Sequence, residues 1–117
     1  MKYSQEDECS RIHSYLASDE TMAELVVTFV REIPERLEVI ERAFREEDFE
    51  LLNRTAHQLK GAFGSYGFAE LTEPARRLEF SSRETPRDFD TIRRDIDALA
   101  RRCRRLSSEP APETPAV

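Results

Sequence analysis

Apolar residues recur at steps of three and four along most of this chain, the period of a helix with one buried face. The longest such run passes through Met22, Leu25, Val26, Phe29 and Ile33 and continues to Leu37, Ile40 and Phe44. Asp19 is placed to cap it, with Glu20 in the first turn. Pro34 predicts a kink or a break near Ile33. Val27, Val30 and Val39 widen the stripe, so part of this surface is a candidate for a partner. Leu25 and Phe29 are assigned to the core, and Val27 and Val30 are left open between core and docking patch.

A second stripe follows a Glu46-Glu47-Asp48 turn. It comprises Phe49, Leu52, Ala56, Leu59 and Phe63, with Asp48 as the cap and an end near Gly67, where glycine fits a left-handed cap position. A third helix is expected over about 69–81, with Leu71, Ala75 and Leu78 inward, and it tolerates Pro74 only in its first turn. After a loop, Asp88 caps the most regular stripe: Phe89, Ile92, Ile96, Leu99, Cys103 and Leu106. A shorter leading helix is expected over about 5–16, with Ile12, Tyr15 and Leu16 on one side. Three prolines after residue 106 predict a disordered tail.

No segment carries a strand signal. The expected fold class is therefore all-α, an antiparallel four-helix bundle over 19–106. A short N-terminal extra helix or lead-in fills 1–18, and the tail fills 107–117. This architecture hosts many activities, so the site must decide the function.

Composition narrows the choices. The 117 residues suffice for one modest core, and 36% are charged. A net charge of -6 argues against generic nucleic-acid binding. No apolar run reaches membrane-spanning length, and the N-terminus lacks an apolar signal core, so a cytoplasmic location without membrane contact is expected. Cys9 and Cys103 lie at opposite ends and read as reduced thiols. His13 follows Cys9 by one helical turn, but no second ligand pair exists, and no metal is expected. The arginines of the fourth helix, Arg93, Arg94, Arg101, Arg102, Arg104 and Arg105, read as a solvated face, with docking to an acidic partner as the alternative.

The candidate chemistry centres on His57. At about 100° per residue it lies roughly 130° from the centre of its apolar stripe, facing solvent. Asn53, Gly61 and Gly64 project within about 40° of it, and Lys60 sits one turn on. Glycine inside a helix costs about 0.8–1.0 kcal/mol relative to alanine, so two beside one imidazole suggest a need for close approach. A neutral imidazole is nucleophilic at one nitrogen when the other carries the proton, and an acceptor at that second nitrogen would fix the tautomer. Lys60 could pair with phosphoryl oxygens. Nothing nearby looks able to break a bond, so the ring reads as a carrier of a covalent group, with the catalytic machinery on a partner, and the chain itself as no enzyme.

The run Ala56-His57-Gln58-Leu59-Lys60-Gly61, with Gly67 and Leu78-Glu79 beyond it, resembles the histidine-containing phosphotransfer (HPt) domain family. The preceding Phe29-Val30-Arg31-Glu32-Ile33-Pro34 and Asp48 share the likeness, which covers about 19–106. The resemblance implies an up-down-up-down bundle with His57 as the phosphorylated residue. It implies that His57 accepts the group from a receiver aspartyl phosphate, or from a sensor or hybrid histidine kinase, and passes it to a receiver-domain aspartate. Lys60 then matches the phosphate-neighbouring lysine, and Gly61 and Gly67 match the family's small positions. Glu79 matches a position whose side chain accepts from the histidine's second nitrogen in some members. Magnesium belongs to the receiver's acidic site, so no cofactor is expected here. The stretch Ala62-Phe63-Gly64-Ser65-Tyr66 departs from a run usually richer in small residues, with Phe63 suited to the core and Tyr66 to a pocket edge.

A phosphorelay intermediate of two-component signalling, acting as a monomer, is the leading expectation. The alternative is a helical interaction module that binds a receiver or another regulator without carrying phosphate. A kinase is not expected, since the residues outside the bundle hold no nucleotide-binding segment. A metal or cofactor bundle lacks inward-facing ligand sets such as paired Glu-x-x-His.

Overall fold

The structure is a computed structural model that describes residues 10–112. Four helices carry the fold: α1 (Ala23–Arg45), α2 (Phe49–Ser65), α3 (Thr72–Arg83) and α4 (Phe89–Cys103). A 3₁₀ turn, Ala69–Leu71, leads into α3. The central pair is α2 and α3, and α1 and α4 complete the bundle. The apolar stripes meet in one core, where Ile40, Leu52, Leu59, Phe63, Phe68, Leu78, Ile92 and Leu99 are fully buried.

Two of the expected caps form as read. The Asp48 side chain accepts from the Leu51 amide at 3.1 Å, and that of Asp88 from Thr91 at 3.1 Å. Asp19 does not cap α1. Its carboxylate accepts from the Thr21 amide and hydroxyl in a preceding turn, and the helix begins four residues later. Pro34 does not divide α1 either. It sits on the exposed side, where water can take the carbonyl that the ring leaves without an amide. Pro74 lies in the first turn of α3, where a missing amide costs little.

α2 ends in a Schellman arrangement. The Phe68 amide donates to the Phe63 carbonyl at 2.8 Å, the Gly67 amide to that of Gly64 at 3.4 Å, and Gly67 has φ +85°. A Cβ on Gly67 would also collide with Ser14 Oγ and crowd Leu16. Gly67→Ala should therefore destabilise the fold by about 1–3 kcal/mol, read as a lower urea midpoint. An unchanged midpoint would mean that this turn relaxes freely.

The leading helix is not formed over its described part, residues 10–16, while residues 5–9 lie outside the described residues. A strap takes its place. Ile12–His13 (β1) pairs in parallel with Leu106–Ser107 (β2), Ile12 opposite Leu106 and His13 opposite Ser107. The Ile12 amide donates to the Arg105 carbonyl at 2.7 Å. Ser14 Oγ donates to the Tyr66 carbonyl at 2.6 Å, and the Tyr15 amide to that of Gly67 at 3.2 Å. The ends of α2 and α4 thus satisfy backbone groups that a leading helix would have paired internally. Ile12 and Ala17 are buried at this end of the bundle.

The same pairing corrects the start of the tail: Ser107 is held in β2, and the Glu109 carbonyl accepts from His13 Nδ1 at 2.8 Å. Residues 113–117 lie outside the described residues. At the opposite end of α4, Phe89 packs against Phe44 and Phe49, with Arg87 over the Phe49 ring and Arg93 over that of Phe44. Arg93 also reaches Glu41 and Asp97, so this arginine of the basic face is engaged within the bundle.

Candidate functional site

α2 carries the site because its stripe fixes which way each residue points. Ala56 and Leu59 are fully buried, which turns the intervening face outward. The His57 side chain is 63% exposed, while its neighbour across the helix interface, Glu79 of α3, is only 12% exposed. His57 Nδ1 lies 2.7 Å from Glu79 Oε2. Lys60 Nζ lies 2.8 Å from the other carboxylate oxygen, Oε1, as an ion pair. The sequence-predicted His57, Lys60 and Glu79 therefore form one cluster around a shared carboxylate.

Charge decides the tautomer. Lys60 beside it, and next the His57 contact, hold the Glu79 carboxyl below its ordinary value of 4.5, against the opposing effect of burial. At neutral pH the carboxylate is ionised and can only accept, so Nδ1 carries the proton it shares. Nε2 then has a free lone pair on the far side of the ring, away from α3. The folded carboxyl releases its proton more readily than the unfolded one. Its stabilising contribution is thus full above about pH 4.5 and fades as pH falls through the lower folded value. Glu79→Gln should lower the urea midpoint near neutrality, with the gap from the wild type narrowing as the solution is acidified. A gap independent of pH would show that the ionised carboxylate contributes nothing to it.

Gly61 and Gly64 meet nothing: a Cβ on either would find no atom within 4 Å. Close helix packing thus does not explain them, and both leave open space on the histidine's face. Gly67, by contrast, acts through the turn already described.

Asn53 was read from spacing only as a neighbour of His57. Its Nδ2 donates to the Glu79 backbone carbonyl at 2.6 Å and lies 3.4 Å from Ser82 Oγ. Ser82 Oγ donates to the same carbonyl at 3.1 Å. No spacing rule within one helix signals a partner that is a backbone atom on another.

On the other side of α2, a groove of about 690 Å³ runs between α1 and α2. Leu25, Phe29, Arg54, Gln58 and Tyr66 are among the residues that line it. Leu25 was assigned to the core but is 49% exposed and lines this groove instead. Phe29 is buried, edge-on to Phe63 at 5.6 Å and stacked on Tyr66 at 4.7 Å. Val30 is half-buried against the core, and Val27 is also half-buried.

The remaining candidates lie elsewhere. His13 belongs to the strap. Cys103 is buried in the core, and burial pushes its thiol up to about 12, which makes it unreactive. Cys9 lies outside the described residues. Among the described residues, no group of three or more His, Cys, Asp or Glu could hold a metal, and no helix is long and apolar enough to cross a membrane.

A helical bundle with an exposed, carboxylate-oriented histidine defines a class, and comparison with known families specifies it. The Hpt domain model matches residues 24–102, and the chain belongs to that family, whose members serve phosphotransfer in two-component signalling. No curated protein and no solved structure gave a match.

Proposed function

We propose that His57 is the phosphoryl-carrying residue of a phosphorelay intermediate. It takes the group from a receiver aspartyl phosphate, or from a sensor or hybrid histidine kinase, and yields it to a receiver aspartate. The observation that carries this reading is the 2.7 Å contact between Nδ1 and a carboxylate held ionised by Lys60.

That contact leaves Nε2 as the nucleophile. Nε2 attacks phosphorus, the P–Nε2 bond forms, and the P–O bond to the donor aspartate breaks, releasing its carboxylate. The imidazole becomes cationic while Nδ1 keeps its proton, and Glu79 stabilises that charge. Reversal delivers the group to the next aspartate. Lys60, now paired with Glu79, is within reach to turn towards the phosphoryl oxygens. Gly61 and Gly64 leave room for the partner's acidic pocket to close over the ring. The groove between α1 and α2, lined by both apolar and charged side chains and bordered by Gln58 next to His57, offers the receiver a docking face.

The groups present bind, orient and carry; none is placed to cleave a bond on its own, so the chain acts as a substrate of its partners' chemistry. A cytoplasmic site of action and a monomeric state belong to the same proposal.

The test is transfer from a receiver domain phosphorylated with acetyl phosphate. Acid-labile, base-stable label should appear on this chain and return to a second receiver. Binding without label would favour the interaction-module reading instead.

A further inference from the structure

We propose that Asn53 is a positioning residue for phosphoryl transfer, acting through the backbone of Glu79. The proposal rests on the phosphotransfer reading of His57.

Asn53 stands one turn before His57 on α2, and the histidine ring depends on a carboxylate from α3. Two helices that touch through apolar side chains can slide or rotate slightly at low cost. A shift of an ångström along α3 would separate Oε2 from Nδ1, since a contact at 2.7 Å tolerates little. The Asn53 amide opposes such a shift. It donates at 2.6 Å to the carbonyl of the very residue whose side chain orients the ring. The Ser82 hydroxyl donates to that carbonyl at 3.1 Å and lies 3.4 Å from Asn53 Nδ2, which closes a small network. A carbonyl oxygen has two lone pairs, so it can accept from outside its helix without giving up a helical bond.

Backbone and side chain of Glu79 are thus both held from α2: the carbonyl by Asn53, and the carboxylate by His57 and Lys60. The amide's orientation follows from the acceptor, because turning Oδ1 towards the carbonyl would set two oxygens against each other. Carbonyl and carboxylate belong to one residue, so fixing the first narrows the positions open to the second.

Two measurements test the assignment. The first is the ¹⁵N spectrum of the His57 ring in the unphosphorylated protein, which reports how fully Nδ1 carries the proton. The second is the transfer rate from a receiver phosphorylated with acetyl phosphate, in a cycle of Asn53→Ala and Glu79→Ala. Asn53→Ala should reduce the Nδ1–H tautomer share and slow transfer about three- to tenfold, the worth of one hydrogen bond. In the Glu79→Ala background, where the carbonyl remains but the carboxylate is gone, it should slow transfer no further. Wild-type tautomer share in Asn53→Ala, or equal slowing in both backgrounds, would overturn the proposal and leave Asn53 as packing. Should Asn53→Ala not fold, Asn53→Leu keeps the bulk, loses the donor without adding a charge and is read the same way. If the wild-type protein accepts no phosphoryl group, the tautomer measurement decides alone, so the two failures remain distinct.

Discussion

His57→Gln should abolish acid-labile, base-stable label on this chain while leaving the bundle folded. The side chain is 63% exposed, so its replacement removes little packing, and exposed substitutions usually move stability by no more than about 0.5 kcal/mol. An amide nitrogen has no free lone pair for attack on phosphorus, so loss of label should be total rather than partial. Lys60 keeps its contact with Glu79 and holds the carboxylate in place. Mass spectrometry under alkaline conditions, with a circular dichroism melt beside it, measures both halves. Label at the wild-type level would move the acceptor elsewhere, with His13 as the other histidine to examine.

Gly64→Leu should separate stability from transfer in the opposite sense. A Cβ there meets no atom within 4 Å, so a side chain can leave the backbone at this position without a clash. Leucine also favours helix over glycine by up to about 0.8 kcal/mol, so the melting temperature should hold or rise. Yet the added bulk stands on the histidine's face, where the donor must bring phosphorus within about 3–3.5 Å of Nε2. Displacement of the partner by an ångström or so should cost transfer about tenfold to a hundredfold. A variant that is more stable and slower separates an access requirement from a folding requirement. Unchanged transfer would mean that Gly64 is incidental to the partner's approach.

The helical core and the orientation of His57 were legible because both follow from local spacing. One stripe of Leu52, Ala56, Leu59 and Phe63 turns that face inward, and His57 must then point out. Asp48 and Asp88 could be read as caps because a carboxylate satisfies the amide three residues on in the same segment. Most of what escaped was set by partners far along the chain. The strap looked helical because Ile12, Tyr15 and Leu16 are spaced like one face of a helix. Its backbone pairs instead with Arg105 and Gly67, and a two-residue strand carries no periodicity to betray it.

Asp19 failed as a helix cap because the nearby Thr21 amide and hydroxyl take its carboxylate first. Leu25 obeyed the spacing, but spacing cannot tell whether a neighbouring helix closes over the stripe. Glu79 was reached by resemblance alone, and its contact with His57 depends on how α3 is set against α2. The role of Asn53 lies on that same interface.

The strap also shapes the order in which the fold can assemble. Successive helices touch through contacts close in sequence, the kind that form within microseconds to milliseconds. Arg11 instead reaches the Arg104 carbonyl across 93 residues, in the same region where Ile12 meets Leu106. Closing so long a loop on an unfolded chain costs entropy that a two-residue ladder cannot offset. Closure is therefore expected after the helices have brought the two segments together, which would leave its bonds out of the rate-limiting step of folding. Contacts made after the barrier act on unfolding. On that order of events, the strap is expected to add more to how long the bundle lasts once made than to how fast it forms.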